Sequence, residues 1–117
     1  MAGTVRRRDE VPRATVMGDD LVGVTKQLLI SGAEGWDGWA LRLFEVAPAG
    51  HTPRHTHPWP HINVVVSGEG VLRVDGVDHP IEPGASGFIP AGSTHQFTNT
   101  GDAPLEFVCI VPEVGEY

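Results

Sequence analysis

Turn-forming residues interrupt this sequence at short intervals. Fifteen glycines and ten prolines are spread through 117 residues, and between them run brief stretches rich in valine, isoleucine, leucine and aromatics. Both residues break helices, and no segment sustains an apolar period of 3.6 residues. Such punctuation permits many short strands joined by tight turns. Alternation and β-branched content predict strands at Leu21–Ile30, Trp39–Val46, His61–Ser67, Val71–Asp75, Val77–Ile81, Ala85–Ile89, Thr94–Asn99 and Leu105–Val111. Ser67-Gly68-Glu69-Gly70 reads as a hairpin-type turn, and Asp75-Gly76 is a strong turn signal of its own. Ala47 to Pro60 is a polar, proline-broken stretch. The spacing predicts an all-β, antiparallel barrel or sandwich forming a single domain over residues 1–117.

A chain of this length buries roughly two-thirds of its unfolded surface, enough for a core without disulfide staples. Its one cysteine, Cys109, excludes an internal disulfide framework and any multi-cysteine zinc site. The net charge of −7 argues against nucleic acid as a partner of the body of the protein. That charge is uneven: residues 1–14 carry four arginines against two acids (4 − 2 = +2), and the remainder four bases against thirteen acids (4 − 13 = −9). Arg6-Arg7-Arg8 is expected to lie in a solvated basic arm. No apolar region follows those arginines as in a secretory signal, and apolar stretches are too short to span a bilayer. A cytoplasmic location is expected, with no membrane contact.

Composition leaves six histidines to explain. Residues two or four apart on a strand share a face, so His55 and His57 point the same way, and His61 has the same parity beyond Pro58-Trp59-Pro60. His95 opens a different strand; if a barrel sets that strand beside the first, four imidazoles converge. Neutral imidazole is a ligand for several transition metals. A lone strand histidine is usually an ordinary surface or core residue, and that reading suits His51 and His79. The other four stand within a frame of turn glycines at positions 50, 68, 84 and 92, with Pro90-Ala91-Gly92 placed to fix the entry of His95.

The stretch from Gly50 through His55-Thr56-His57 and His61 to Gly68 resembles the first signature of the cupin superfamily. Gly84 through Pro90-Ala91-Gly92, His95 and Asn99 is similar to the second in every fixed position, and residues 69–83 form a compact spacer. The first signature is one residue shorter than usual before His55, and His61 occupies the family's glutamate position. The His-Thr-His-Pro-Trp-Pro-His run and Glu106–Pro112 resemble a small bacterial subgroup, manganese-cupin-like, with four-histidine sites.

The resemblance implies a double-stranded β-helix, or jelly roll, with His55, His57, His61 and His95 as ligands of one divalent ion. Manganese or iron is favoured; nickel, copper and zinc are also compatible. Without a carboxylate ligand the ion keeps its full charge toward anionic ligands. Four ligands leave two positions on an octahedral ion and none on a tetrahedral one. Parity turns Phe97 and Asn99 inward with His95. On the last strand either Phe107, Cys109 and Val111 or Val108 and Ile110 face in, and the resemblance favours the first set. Trp59, Phe97, Phe107 and Cys109 are thus the expected pocket residues, with Trp59 at its rim and Cys109 as packing rather than nucleophile. Trp36 and Trp39 are assigned to core or dimer contacts. The expected function is a metal-dependent enzyme acting on a small organic molecule, first an O2-dependent dioxygenase. A redox-neutral lyase, isomerase or decarboxylase is the alternative, and a non-catalytic metal- or ligand-binding domain the third. A homodimer is expected.

Overall fold

The computed structural model describes residues 2–115; Met1, Glu116 and Tyr117, the ends of the expected domain, lie outside the described residues. The strands are β1 (Ala14–Thr15), β2 (Val22–Ile30), β3 (Trp39–His51), β4 (His61–Ser67), β5 (Gly70–Val74), β6 (Val77–Ile81), β7 (Ser86–Ile89), β8 (His95–Asn99) and β9 (Leu105–Pro112). They pair antiparallel in the order β6-β5-β8-β3-β9-β4-β7, with β2 on the free side of β3 and β1 on β2. This is the antiparallel jelly-roll barrel that turn spacing and resemblance predict. The described helices are single 3-10 turns at Arg8–Glu10, Gly32–Glu34 and Glu113–Gly115.

Strand β3 joins two parts of the barrel. Its first eight residues pair with β9, from Trp39↔Pro112 to Val46↔Leu105, and its last, His51, pairs with Thr98 of β8. It therefore runs further than Val46, into the proline-broken stretch. Pro48 is tolerated because it falls after the last rung to β9 and before the rung to β8, where its missing N–H costs no ladder bond. Ala49, at φ 65°, marks the irregularity there.

The turn at residues 67–70 is not a hairpin. β4 pairs with β7 and β9, whereas β5 pairs with β6 and β8, so the turn carries the chain from one part of the sheet to the other. Gly68 makes the crossing at φ +80°, and a Cβ there would stand 2.2 Å from the Pro104 carbonyl oxygen. Asp75-Gly76 does close a hairpin: both residues have positive φ (49° and 82°), as a type I′ turn requires, between Val74 and Val77.

Burial alternates with period two along β4, β8 and β9, as expected of strands with one face inward. Phe107, Cys109 and Val111 are the inward set on β9. Phe97 stacks on Phe107 at 3.8 Å between centroids, and Phe107 on Phe44 at 5.4 Å. Trp36 and Trp39 stack on each other at 6.2 Å but stay exposed, so neither belongs to the core.

The N-terminal arm stays largely exposed, as expected, but it is tied to the barrel at Arg8 and Val11. Its 3-10 turn sits over the outer face of β2, where the buried Gln27 donates Nε2 to the carbonyls of Arg8 (2.9 Å) and Val11 (3.0 Å). Arg8 Nε donates back to Gln27 Oε1 at 3.1 Å. Arg8 also pairs with Glu106, Arg13 with Glu45, and Arg6 with Glu34. The acidic excess of the barrel supplies partners for the basic excess of the arm.

Candidate metal centre

Each histidine arrives by a separate local device. His61 begins β4 and His95 begins β8, both with side chains on the buried face. His55, in the loop between β3 and β4, forms an isolated antiparallel bridge with His95: its N–H donates to the His95 carbonyl at 3.2 Å, and the His95 N–H donates back at 3.0 Å. Residues facing each other in this way carry side chains on the same side of the sheet. His57 follows two residues on, and its carbonyl accepts the Gly92 N–H at 2.7 Å, tying the Pro90-Ala91-Gly92 turn to the first motif.

The ring nitrogens converge. Nε2 of His55 lies 2.8 Å from Nε2 of His57, and Nε2 of His61 lies 3.2 Å from Nε2 of His95. Ring nitrogens of His55, His57 and His95 all fall within 4.8 Å of one another, and His61 joins through its contact with His95. The opposite edges of two rings are anchored: His55 Nδ1 lies 2.7 Å from the Pro53 carbonyl and His95 Nδ1 lies 3.0 Å from that of Ser93. A carbonyl only accepts, so Nδ1 of each carries the proton and Nε2 offers a lone pair to the centre. His61 Nδ1 faces the Asn63 amide and Cys109 Sγ, each at 3.4 Å.

Protonation is suppressed where the rings meet. Burial, then the neighbouring His55 and His95, then the Arg42 charge lower His57 from 6.5 to about 4. His61 falls to about 3 through burial, His95, His57 and Arg42, with the Asn63 contact opposing. His95 is also lowered, chiefly by burial. Near neutral pH His57, His61 and His95 present uncharged imidazoles, the protonation state in which histidine ligates metals. The Nε2 lone pairs of His55 and His95, turned toward His57 and His61 with no carboxylate in the cluster among the described residues, are well matched to a borderline cation.

Beside the rings lies a cavity of about 250 Å³. Phe97, Phe107 and Cys109 line it as the sequence led one to expect. Trp59 does not: its indole stacks flat on His57 (5.1 Å, 8° between planes) and packs against Gly115, so it backs a histidine instead of forming a rim. Lining residues not foreseen are Lys26, Arg42, Phe44 and Asn63. Arg42 Nη2 donates to Cys109 Sγ at 3.0 Å, and its guanidinium sits 4.9 Å from the Phe44 ring centroid. Strand parity carried the missing signal: Lys26 lies opposite Phe44 and Arg42 opposite Cys109, both in inward rows. His51 and His79 stay outside the cluster, His51 facing Gln96 Nε2 and His79 exposed on β6.

Residues 42–111 match the family described as Cupin domain. The chain belongs to the cupin family. Over 88 residues this cupin is 38% identical to 1-methylthio-D-xylulose 5-phosphate methylsulfurylase of Rhodospirillum rubrum, covering 75% of this chain and 55% of that protein. Over 74 residues it is 34% identical to an oxalate-binding protein of Thermotoga maritima, covering 60% and 61%. The match thus spans between half and two-thirds of these curated relatives. Among solved structures, the polyketide cyclase RemF of Streptomyces resistomycificus superposes with a TM-score of 0.86 at 32% identity, covering 96% of this cupin and 80% of that chain. Among the described residues, no helix is long and apolar enough to cross a membrane.

Proposed function

We propose that His55, His57, His61 and His95 together hold one divalent ion, and that the protein is a metal-dependent enzyme transforming a small organic anion without net oxidation. The observation that carries this reading is the convergence of Nε2 atoms, two pairs at 2.8 and 3.2 Å, at the wall of a cavity about 250 Å³ in volume. Manganese or iron suits the site best: an octahedral ion held by four imidazoles keeps two positions for substrate, and a tetrahedral one keeps none. When bound, the ion would supply Lewis-acid polarisation of a substrate oxygen. The chain's own residues orient the ligands through the Pro53 and Ser93 carbonyls and exclude water with the phenylalanine stack.

The names of the relatives support an anionic substrate and chemistry other than oxygenation. One is named for a sugar 5-phosphate, one for oxalate and one for a cyclisation. An O2-dependent dioxygenase is the second reading, favoured by the apolar wall that Phe44, Phe97 and Phe107 give the cavity. Metal-loaded protein should be incubated with a panel of hydroxy acids and sugar phosphates under air and under argon, with conversion followed by mass spectrometry. Conversion under argon is expected. Conversion only in air would establish the dioxygenase instead, and none in either atmosphere would contradict an enzyme acting on this class.

We further propose a cytoplasmic homodimer. Ile62, Val64 and Val66 on the outer face of β4, with Phe88 opposite Ile62 on β7, expose an apolar strip that a second copy would cover symmetrically. A monomer in sedimentation at micromolar concentration would refute the dimer.

A further inference from the structure

We propose that Trp59 is a positioning residue of the histidine centre: stacked on His57 and braced by Gly115, it fixes that ring at the angle from which Nε2 faces the cluster. That the rings share an ion rests on the function proposed above; the seating of His57 does not. Three of the four rings are held from behind by polar atoms. His55 Nδ1 lies against the Pro53 carbonyl, His95 Nδ1 against that of Ser93, and His61 Nδ1 against Asn63 and Cys109. Among the described residues no hydrogen bond holds His57 Nδ1. Its backbone is tied to Gly92 through the carbonyl, which leaves the ring free to turn about its side-chain bonds. The indole of Trp59 supplies the hold. It lies 5.1 Å from the imidazole with 8° between planes, while the histidines meet one another at 59–61°. Tilted rings aim their edges at one another; a parallel ring covers a face, attracts it and resists its rotation.

The indole is itself held on two sides. Pro58 and Pro60 flank it, and each steers the residue before it, His57 and Trp59 in turn, away from helical backbone. Both members of the stack are thus restricted by the chain itself. At the Nε1–Cε2 edge of the indole stands Gly115. A Cβ there would come within 2.5 Å of Trp59 Nε1 and closer still to a Val111 methyl, so glycine is what allows this approach. The turn that carries Gly115 is anchored by the Glu113 N–H, which donates to the Gly38 carbonyl at 2.8 Å. Gly115 also lines the cavity beside the rings. The C-terminal turn and one histidine of the centre are therefore linked through a single half-buried side chain. A ring seated in advance loses less freedom when its Nε2 is engaged.

Cobalt(II) titration of chelator-treated protein tests the assignment, because the visible spectrum of the ion reports ligand geometry as well as affinity. Trp59→Leu is expected to bind about tenfold more weakly, in the range typical of groups that orient metal ligands, and with an altered spectrum. Trp59→Phe keeps a flat ring and should retain the wild-type spectrum with an intermediate affinity. Gly115→Ala, whose added methyl group meets Trp59 and Val111, should displace the indole and reproduce the altered spectrum. Wild-type affinity and spectrum in Trp59→Leu or in Gly115→Ala would overturn the proposal, as would equal losses in Trp59→Leu and Trp59→Phe. Should Trp59→Leu fail to fold, Gly115→Ala alone decides. NMR of the metal-free protein gives a second reading: the indole should move the His57 ring protons upfield in wild type, and Gly115→Ala should reduce that shift. No upfield shift in wild type would overturn the proposal. Wild type that takes up no cobalt would overturn the metal reading, and the NMR shift would then decide the seating of His57.

Discussion

His55 and His95 exchange backbone hydrogen bonds in both directions, at 3.2 and 3.0 Å, outside any named strand pairing of the loop that bears His55. This one bridge fuses the first motif to the second. It sets two imidazoles side by side, 4.6 Å between centroids, before any cation is considered. The loop carrying His55 and His57 is thus held by the same ladder that builds the barrel, and the site is organised by backbone pairing. A preformed donor set of this kind reduces the ordering cost of ligand binding.

The depressed imidazoles of the centre should make the fold sensitive to acid. His57 and His61 are held at about 4 and about 3, whereas the unfolded chain protonates its histidines near 6.5. Below that value the unfolded state binds more protons than the native state, so stability falls as pH drops toward 4 and is flat above 6.5 from this source. Urea unfolding of the metal-free protein at about pH 7.5 and about pH 4.5 is expected to show a lower midpoint in acid. Equal midpoints would contradict the buried neutral imidazoles.

Gly68→Ala should destabilise the barrel by ~1–3 kcal/mol, through positive φ and a close approach to Pro104. The Cβ would meet a carbonyl oxygen at 2.2 Å, where no flexible side chain can yield. A reduced denaturant midpoint with an unchanged slope is the expected result. A midpoint equal to that of wild type would mean that the crossing from β4 to β5 tolerates ordinary backbone geometry.

Gln27→Ala should release the N-terminal arm. It removes both bonds to the Arg8 and Val11 carbonyls and the acceptor of Arg8 Nε. Partly buried hydrogen bonds of this sort contribute about 1 kcal/mol each, enough to raise the open population of the arm severalfold. Limited trypsin digestion should then cut after Arg8 and Arg13 faster than in wild type, while the barrel stays intact. Identical cleavage rates would mean that Gln27 does not tether the arm.

The sequence exposed those features that depend on period and local turn chemistry. Alternation placed β4 and β6 to the residue and the other main strands to within a few, apart from the extension of β3; parity left two choices for the last strand, and the family resemblance chose Phe107 and Cys109, which line the cavity with Phe97 and His95. It was silent where the answer lay in a distant partner. Ser67–Gly70 has hairpin chemistry, yet nothing local reveals that β4 prefers β9 and β7. Arg8 and Arg13 look like a free basic run because Glu106 and Glu45 are far along the chain. Lys26 and Arg42 entered the sequence reading only as charges, although they share parity with Val24, Phe44 and Val46 and line the cavity.

The central claim is that four imidazoles, His61 included, share one ion. Metal content of the purified wild type should be measured by mass spectrometry beside His61→Ala and His95→Ala, each checked for a retained barrel by circular dichroism. About one divalent ion per chain is expected in wild type, and in each variant a loss exceeding the ~10–100-fold weakening typical of outer-sphere changes. Undiminished metal in His61→Ala or His95→Ala would contradict the four-histidine centre.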